Sequence, residues 1–276
     1  MVISLTNIMD SLVSSALKNT KNVYISVVSH NNEDDIEKNF FCLPGSYGKY
    51  LVKVLIIDNT NSIALKEKCK EYGLSYYADN INRGYGANNN KNFELSQAED
   101  CDVFIVCNPD VTIQPNQLEE LFDSYFNEEA DIFGVKVYES KDLLTFSSHN
   151  RNFPCLLDPI VSFVFKKKLF VEDADEYGHP DWIGGSFMVF KASSFKYLQG
   201  FDGKYFMYYE DTDICHRAIK AGMKIVYNPD FFIVHEAKRA GRKLFSKSFY
   251  WNLTSMLKYF LTFPPKCLLG KNYAGK

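Results

Sequence analysis

Short apolar runs and longer amphipathic stretches take turns through the first half of the chain. Residues 23–29 (VYISVVS), 52–57 (VKVLII), 74–78 and 103–106 (VFIV) are strand-length runs, most of them rich in β-branched residues. Residues 31–41, 63–72 and 88–96 lie between or beside them with helical character, and 115–126 follows the fourth run. Apolar strands joined by helix-length segments predict a mostly parallel sheet with crossover helices on its faces. In such sheets ligands bind beyond the carboxyl ends of the strands. The segments after the strands therefore matter most: Ser29-His30-Asn31-Asn32, Asp58-Asn59-Thr60 and Asn108-Pro109-Asp110.

The second half is less regular. Residues 139–180 carry charge clusters without a clean period and read as loop-rich. Residues 181–191 (DWIGGSFMVFK) read as a glycine-hinged turn running into a strand, and 200–209 (GFDGKYFMYY) as an aromatic loop. A helix over 211–221 closes at Gly222. Two short strands, 224–227 and 231–234, flank Asn228-Pro229-Asp230. With no repeat or linker to divide it, the chain predicts one domain over 22–237, preceded by an extension (1–21) and followed by a tail (238–276).

Composition sharpens this picture at the tail. At 46% hydrophobic and 24% charged, the 276 residues are those of a globular chain rather than a disordered one. Seven cysteines without a CxxC pair predict neither a zinc site nor a disulfide framework, and fit a reducing compartment. No basic segment opens the chain and no run approaches 18 apolar residues, which favours a cytosolic protein. The net charge of −3 hides an asymmetry: nine basic residues and no acidic one follow Glu236. Phe249, Trp251 and Phe260 are interleaved with them. Such a tail reads either as an interfacial helix on an anionic membrane or as a helix packed on the domain. Nucleic acid is not expected, since a basic tail alone would support it.

The candidate chemistry sits in six places. Asp58 ends the second strand, where a carboxylate accepts from a base or ribose, or simply closes an Asx-turn. Asn82-Arg83-Gly84-Tyr85-Gly86-Ala87-Asn88-Asn89-Asn90 approaches a GxGxxG pattern but has Asn89 in place of the third glycine. It reads as an anion-binding helix start, with Arg83 placed for a phosphate, or as a plain turn. Asp110 at a strand end suits a divalent cation shared with ligand phosphates, although Asn-Pro-Asp recurs at 228–230. Glu210-Asp211-Thr212-Asp213 gathers three carboxylates at a helix start, fit for a general base or for complementing the helix dipole. His235 follows an apolar strand, either a structural histidine or a metal ligand converging with Asp110. Trp182 beside Gly184 and Gly185 reads as a sugar-stacking surface or as core.

Taken in order, these pieces resemble an inverting family 2 glycosyltransferase of the GT-A fold. The resemblance runs through SVVSHNN, LIIDN, NRGYGANNN, CNPD, DWIGGSFMVFKASSFKYLQGFDGKYFMYYEDTDICHRAIKAG and FFIVHE, about residues 22–260. The later segments are nearest to bacterial O-antigen rhamnosyltransferases. The fold implied is α/β, a mostly parallel central sheet flanked by helices with a C-terminal helical tail. By this resemblance Asp58, Arg83, Gly84, Asn88, Asn90, Asn108 and Asp110 contact the donor nucleotide sugar. Asp110 and His235 hold Mg²⁺ or Mn²⁺, with Asn108 replacing the first Asp of the DxD motif. Asp211 is the base, with Glu210 beside it. Trp182, Gly184 and Gly185 line the acceptor side. The implied activity is transfer of a sugar, L-rhamnose from dTDP-rhamnose, to a lipid-linked glycan at the inner face of the membrane. UDP-hexose donors and a non-catalytic sugar-nucleotide-binding scaffold are the alternatives, and a homodimer is left open.

Overall fold

The computed structural model describes residues 20–147, 150–158, 176–236 and 246–265. The extension up to residue 19 and most of the tail's basic residues lie outside these. Four strands form a parallel set: β1 (Lys21–Ser29), β3 (Tyr50–Asp58), β4 (Ser75–Tyr77) and β5 (Val103–Cys107). Helices α1 (Glu33–Phe40), α2 (Ile63–Glu71) and α3 (Tyr85–Ser96) connect them, and a short β2 (Gly45–Tyr47) edges the sheet. The alternation that predicted these elements is explained by the two faces of the sheet. Val23, Ile25 and Val27 of β1 pack with α1, α2 and α4 (Leu118–Asn127) on one face. Tyr24 turns to the other face, which is shared with Phe93 of α3.

The second half departs from the expectation of a mostly parallel sheet. The sheet runs β2-β3-β1-β5-β11-β7-β12-β6 and is mixed. Strand β11 (Phe187–Lys191) inserts antiparallel between β5 and β7 (Ile132–Tyr138). Strand β6 (Val111–Thr112) pairs antiparallel with the end of β12 (Ile225–His235). The two predicted strands around Asn228-Pro229-Asp230 are one strand, β12, with a register shift between Asn228 and Phe232. Asn228 Oδ1 accepts from Asp230 N at 2.9 Å, so this Asn-Pro-Asp makes a bulge rather than a strand end. The loop-rich stretch contributes short strands β8 (Phe146–Ser147) and β9 (Asn150–Arg151), the latter paired with β10 (Trp182–Ile183). Helices α5 (Ala192–Tyr197) and α6 (Glu210–Lys220) cover the second face. Cys155 is disulfide-bonded, against the expectation drawn from cysteine spacing, which does not report on contacts made across a fold. Cys42, Cys69, Cys101, Cys107 and Cys215 are free.

The tail contains a helix, α7 (Lys247–Thr262), capped by Ser246 Oγ accepting from Phe249 N. It packs on the domain. Tyr259 and Phe263 cluster with Tyr205, and the Phe263 ring stacks on His216 at 3.9 Å. Of the two readings of the tail's aromatics, these two follow the packed one: Trp251 lies against the Phe206 ring and Phe260 against Tyr259. The outward apolar ridge is instead Tyr250, Leu253, Leu257 and Leu261, exposed by 64, 40, 53 and 84%.

Candidate active site

The carboxyl ends of β1, β3 and β5, the start of α6 and the end of β12 come together at one edge of the sheet. Asn59 N donates to Ser29 O, and Asn88 Nδ2 donates to Asn59 Oδ1 at 3.0 Å, joining β1, β3 and α3. Tyr85 OH donates to Gly185 O at 2.9 Å, and Gly185 N donates to Asp211 Oδ2 at 2.8 Å. Asn108 N donates to Ser186 O. The Gly185–Ser186 segment thus ties together the glycine turn, the Asn108–Asp110 loop and the candidate base. Five buried side-chain oxygens among the described residues have no partner, and four of them, from Ser29, Asn88, Ser186 and Glu210, belong to residues at this end. Buried polar atoms are otherwise nearly always paired, so these four point to a place where a polar ligand binds.

Asp110 and His235, 125 positions apart in sequence, meet because Val111 pairs with His235 across β6 and β12. His235 Nε2 lies 3.1 Å from Asp110 Oδ1, with the two side chains 16 and 21% exposed. Asn39 steadies this loop, donating to Pro109 O and accepting from Thr112 Oγ1. One carboxylate and one imidazole form a donor set that suits Mn²⁺ or Mg²⁺, provided ligand oxygens complete the shell. No cluster of three or more His, Cys, Asp or Glu side chains fit to hold a metal occurs among the described residues.

The three carboxylates at the start of α6 have three different environments. Asp213 is fully buried and salt-bridged: Arg217 Nε donates to it at 2.6 Å, with Lys204 and Tyr205 also in contact. Its work is structural. Glu210 is buried with one oxygen unpartnered, and burial, with Asp211 beside it, pushes its pKa up to about 8. Asp211 is only partly buried and accepts from Gly185 N and Thr212 N. Burial raises its pKa, while those amides and the Arg151 charge pull the other way. Glu210 therefore stays protonated near neutral pH, while Asp211 is the member of the pair with donors that favour its charged form. The backbone entering α6 is unusual, since Tyr208 and Tyr209 both lie in the left-handed region at φ 69° and 66°. For bulky residues that costs about 1 kcal/mol or more each.

Other predicted residues make contacts within the fold. Asp58 is buried and accepts from Thr60 N, Thr60 Oγ1, Ser62 N and Tyr76 OH; burial opposes ionisation, but these bonds win and lower its pKa. This is the Asx-turn reading of that residue. Arg83 pairs with Asp79 rather than standing open. Asn90 clasps Phe201 through both its backbone groups, at 2.7 and 2.8 Å. Gly84, at φ +87°, leaves room for Phe206 O, which a Cβ would meet at 2.2 Å. Trp182 is buried, its Nε1 donating to Asn152 O and its ring covered by the Arg151 guanidinium at 4.7 Å. Gly184 is buried beside it, and Gly185 abuts Asp211. Tyr85, Ser186, Asn39 and Arg151 were missed in the sequence, where only the aromatic inside the glycine turn offered a signal.

Comparison with known proteins places this geometry in a family. The family model for Glycosyl transferase family 2 matches residues 24–198. Rhamnosyltransferase WbbL of Escherichia coli (strain K12) is 36% identical over 248 residues, covering 86% of this chain and 92% of that protein. N-acetylglucosaminyl-diphospho-decaprenol L-rhamnosyltransferase of Mycobacterium tuberculosis is 46% identical over 48 residues, 17% of this chain and 16% of that one. Among solved structures, GalNAc-T7 with UDP, GalNAc and Mn²⁺ superposes at a TM-score of 0.65 and 14% identity. That match takes in 88% of this chain but just under half, 48%, of the other, and it bears on the fold alone.

Proposed function

The chain belongs to glycosyl transferase family 2, and from that premise we propose that it is an inverting, metal-dependent rhamnosyltransferase using dTDP-rhamnose and a lipid-linked glycan acceptor. The observation that carries the chemistry is the division of labour at the start of α6. Asp211 is partly exposed and held by Gly185 N–H, while Glu210 is protonated and Asp213 salt-bridged. The donor sugar is supported by the names of the two rhamnosyltransferases, and the lipid diphosphate acceptor by the mycobacterial one.

In this reading the acceptor hydroxyl gives its proton to Asp211 as its oxygen bonds to the anomeric carbon. The bond from that carbon to the diphosphate oxygen breaks on the opposite face, which inverts the configuration. Asp110 and His235 would hold the divalent cation. When bound, that ion offsets the charge growing on the departing nucleoside diphosphate. The unpartnered Ser29, Asn88 and Ser186 oxygens are available to the donor, and Gly185 keeps Asp211 aimed at the acceptor.

We further propose a peripheral location on the cytoplasmic face of the membrane, where such an acceptor would be met. The ridge of Tyr250, Leu253, Leu257 and Leu261 and the basic tail support it. No helix among the described residues is long and apolar enough to cross a membrane. The test is release of nucleoside diphosphate from a panel of nucleotide sugars, with and without EDTA. We expect dTDP-rhamnose to be turned over fastest, EDTA to stop the reaction and Mn²⁺ or Mg²⁺ to restore it. Preference for a UDP-hexose would overturn the donor, and full activity in EDTA would overturn the metal.

A further inference from the structure

We infer that the inner face of α7 belongs to the catalytic apparatus: Trp251, Ser255 and Tyr259 are positioning residues that hold the aromatic loop and, through it, Asp211. The inference rests on the reading of Asp211 as the base. The loop reaches α6 through the left-handed pair Tyr208 and Tyr209, a backbone that bulky residues keep only when their surroundings hold it. Two elements grip it. On the donor side Tyr85 N donates to Phe206 O at 2.9 Å, in the space left by Gly84.

On the other side stands α7. The Trp251 ring lies 4.7 Å from that of Phe206, Ser255 Oγ donates to Met207 O at 2.9 Å, and the Tyr259 ring lies 5.4 Å from that of Tyr209. These three residues are four apart, so they form one stripe of the helix. They meet loop positions 206, 207 and 209 in sequence order, and the base follows two residues later. Ser255 is 2% exposed and Tyr259 1%, while Trp251 at the start of the stripe is partly buried. The matched family segment ends at residue 198, and both sides of this contact lie beyond it.

A displaced loop would carry Asp211 away from Gly185 N. The groups facing Asp211 are Glu210 and Cys215 from its own helix, Arg151 from β9, Tyr85 from α3 and Tyr209 from the loop. Losing the Gly185 bond removes a donor that favours the charged carboxylate, so the pH at which activity rises should move upward.

The test uses the full-length protein in detergent without a membrane, with dTDP-rhamnose hydrolysis as the readout and water as the acceptor. Ser255→Ala and Trp251→Ala should each lower kcat about tenfold with the donor KM within about twofold, and move the acid limb up by about 0.5 pH unit. Asp211→Asn, run alongside, should be inactive. Wild-type kcat and pH profile in both α7 variants, beside an inactive Asp211→Asn, would overturn the inference. Loss of dTDP binding and of melting temperature in step with kcat would also overturn it, leaving α7 a structural helix. An active Asp211→Asn would remove the base reading and this inference together.

Discussion

Among Glu210, Asp211 and Asp213, spacing alone assigns no roles; partners and burial do. Asp213 is neutralised by Arg217 and Lys204, whereas Asp211 is held by amides in a half-open position. Asp211→Asn should therefore lower turnover by ~10²–10⁴ with little change in donor affinity or melting temperature. Asp213→Asn should do the reverse, costing about 2 kcal/mol of stability by denaturant titration. Glu210 yields a second expectation. Its pKa is raised from 4.5 to about 8 on folding, so between those values the folded state binds more protons than the unfolded one. Its contribution is full below about pH 4.5 and is lost as the pH climbs through 8. Thermal melts from pH 5 to 8 should fall for the wild type and flatten in Glu210→Gln; an equally steep fall in the variant would refute the assignment.

Elements were legible where hydrophobic period and length agreed. The β1, β3 and β5 runs and their helices fall within a few residues of their predicted bounds, because each strand is apolar on both faces and α1 and α2 on one, while α3 turns Asn88, Asn89 and Asn92 to the sheet. Strand β7 went unassigned although IFGVKVY is strand-like, and β12 was divided in two because Pro229 signals a turn, whereas an edge of the register shift absorbs it. The antiparallel insertion of β11 has no local signature at all. Nor has the Tyr85–Gly185 contact, which joins positions 100 apart, whereas the Asp110–His235 pair was reached through the family resemblance. The glycine turn was visible as a ligand loop, yet its first glycine serves close packing against Phe206 O. Gly84→Ala combines that clash with a left-handed backbone, and should cost about 2 kcal/mol or more by denaturant titration. Unchanged stability would mean that the turn does not hold the aromatic loop.

In the whole molecule, the exposed apolar ridge of α7 falls within the same stretch of sequence as the basic residues. The sequence revealed the basic tail, but not which side of α7 the domain would take. That was decided by aromatic partners at 205, 206 and 209, distant in sequence. With Trp251 turned inward, the ridge of Tyr250, Leu253, Leu257 and Leu261 is what a membrane would meet. Liposome sedimentation should show binding to anionic vesicles that weakens with salt, and that falls further when Leu257 and Leu261 are replaced by Ser. Equal binding to neutral vesicles, or none to anionic ones, would count against a peripheral location.

If Asp211 alone deprotonates the acceptor, the sugar is displaced once, from the face opposite the departing diphosphate. Proton NMR of the first product formed from dTDP-rhamnose reads this directly through the anomeric configuration. The product should carry the configuration opposite to that of the donor from the earliest time point. A product that keeps the donor's configuration would contradict it.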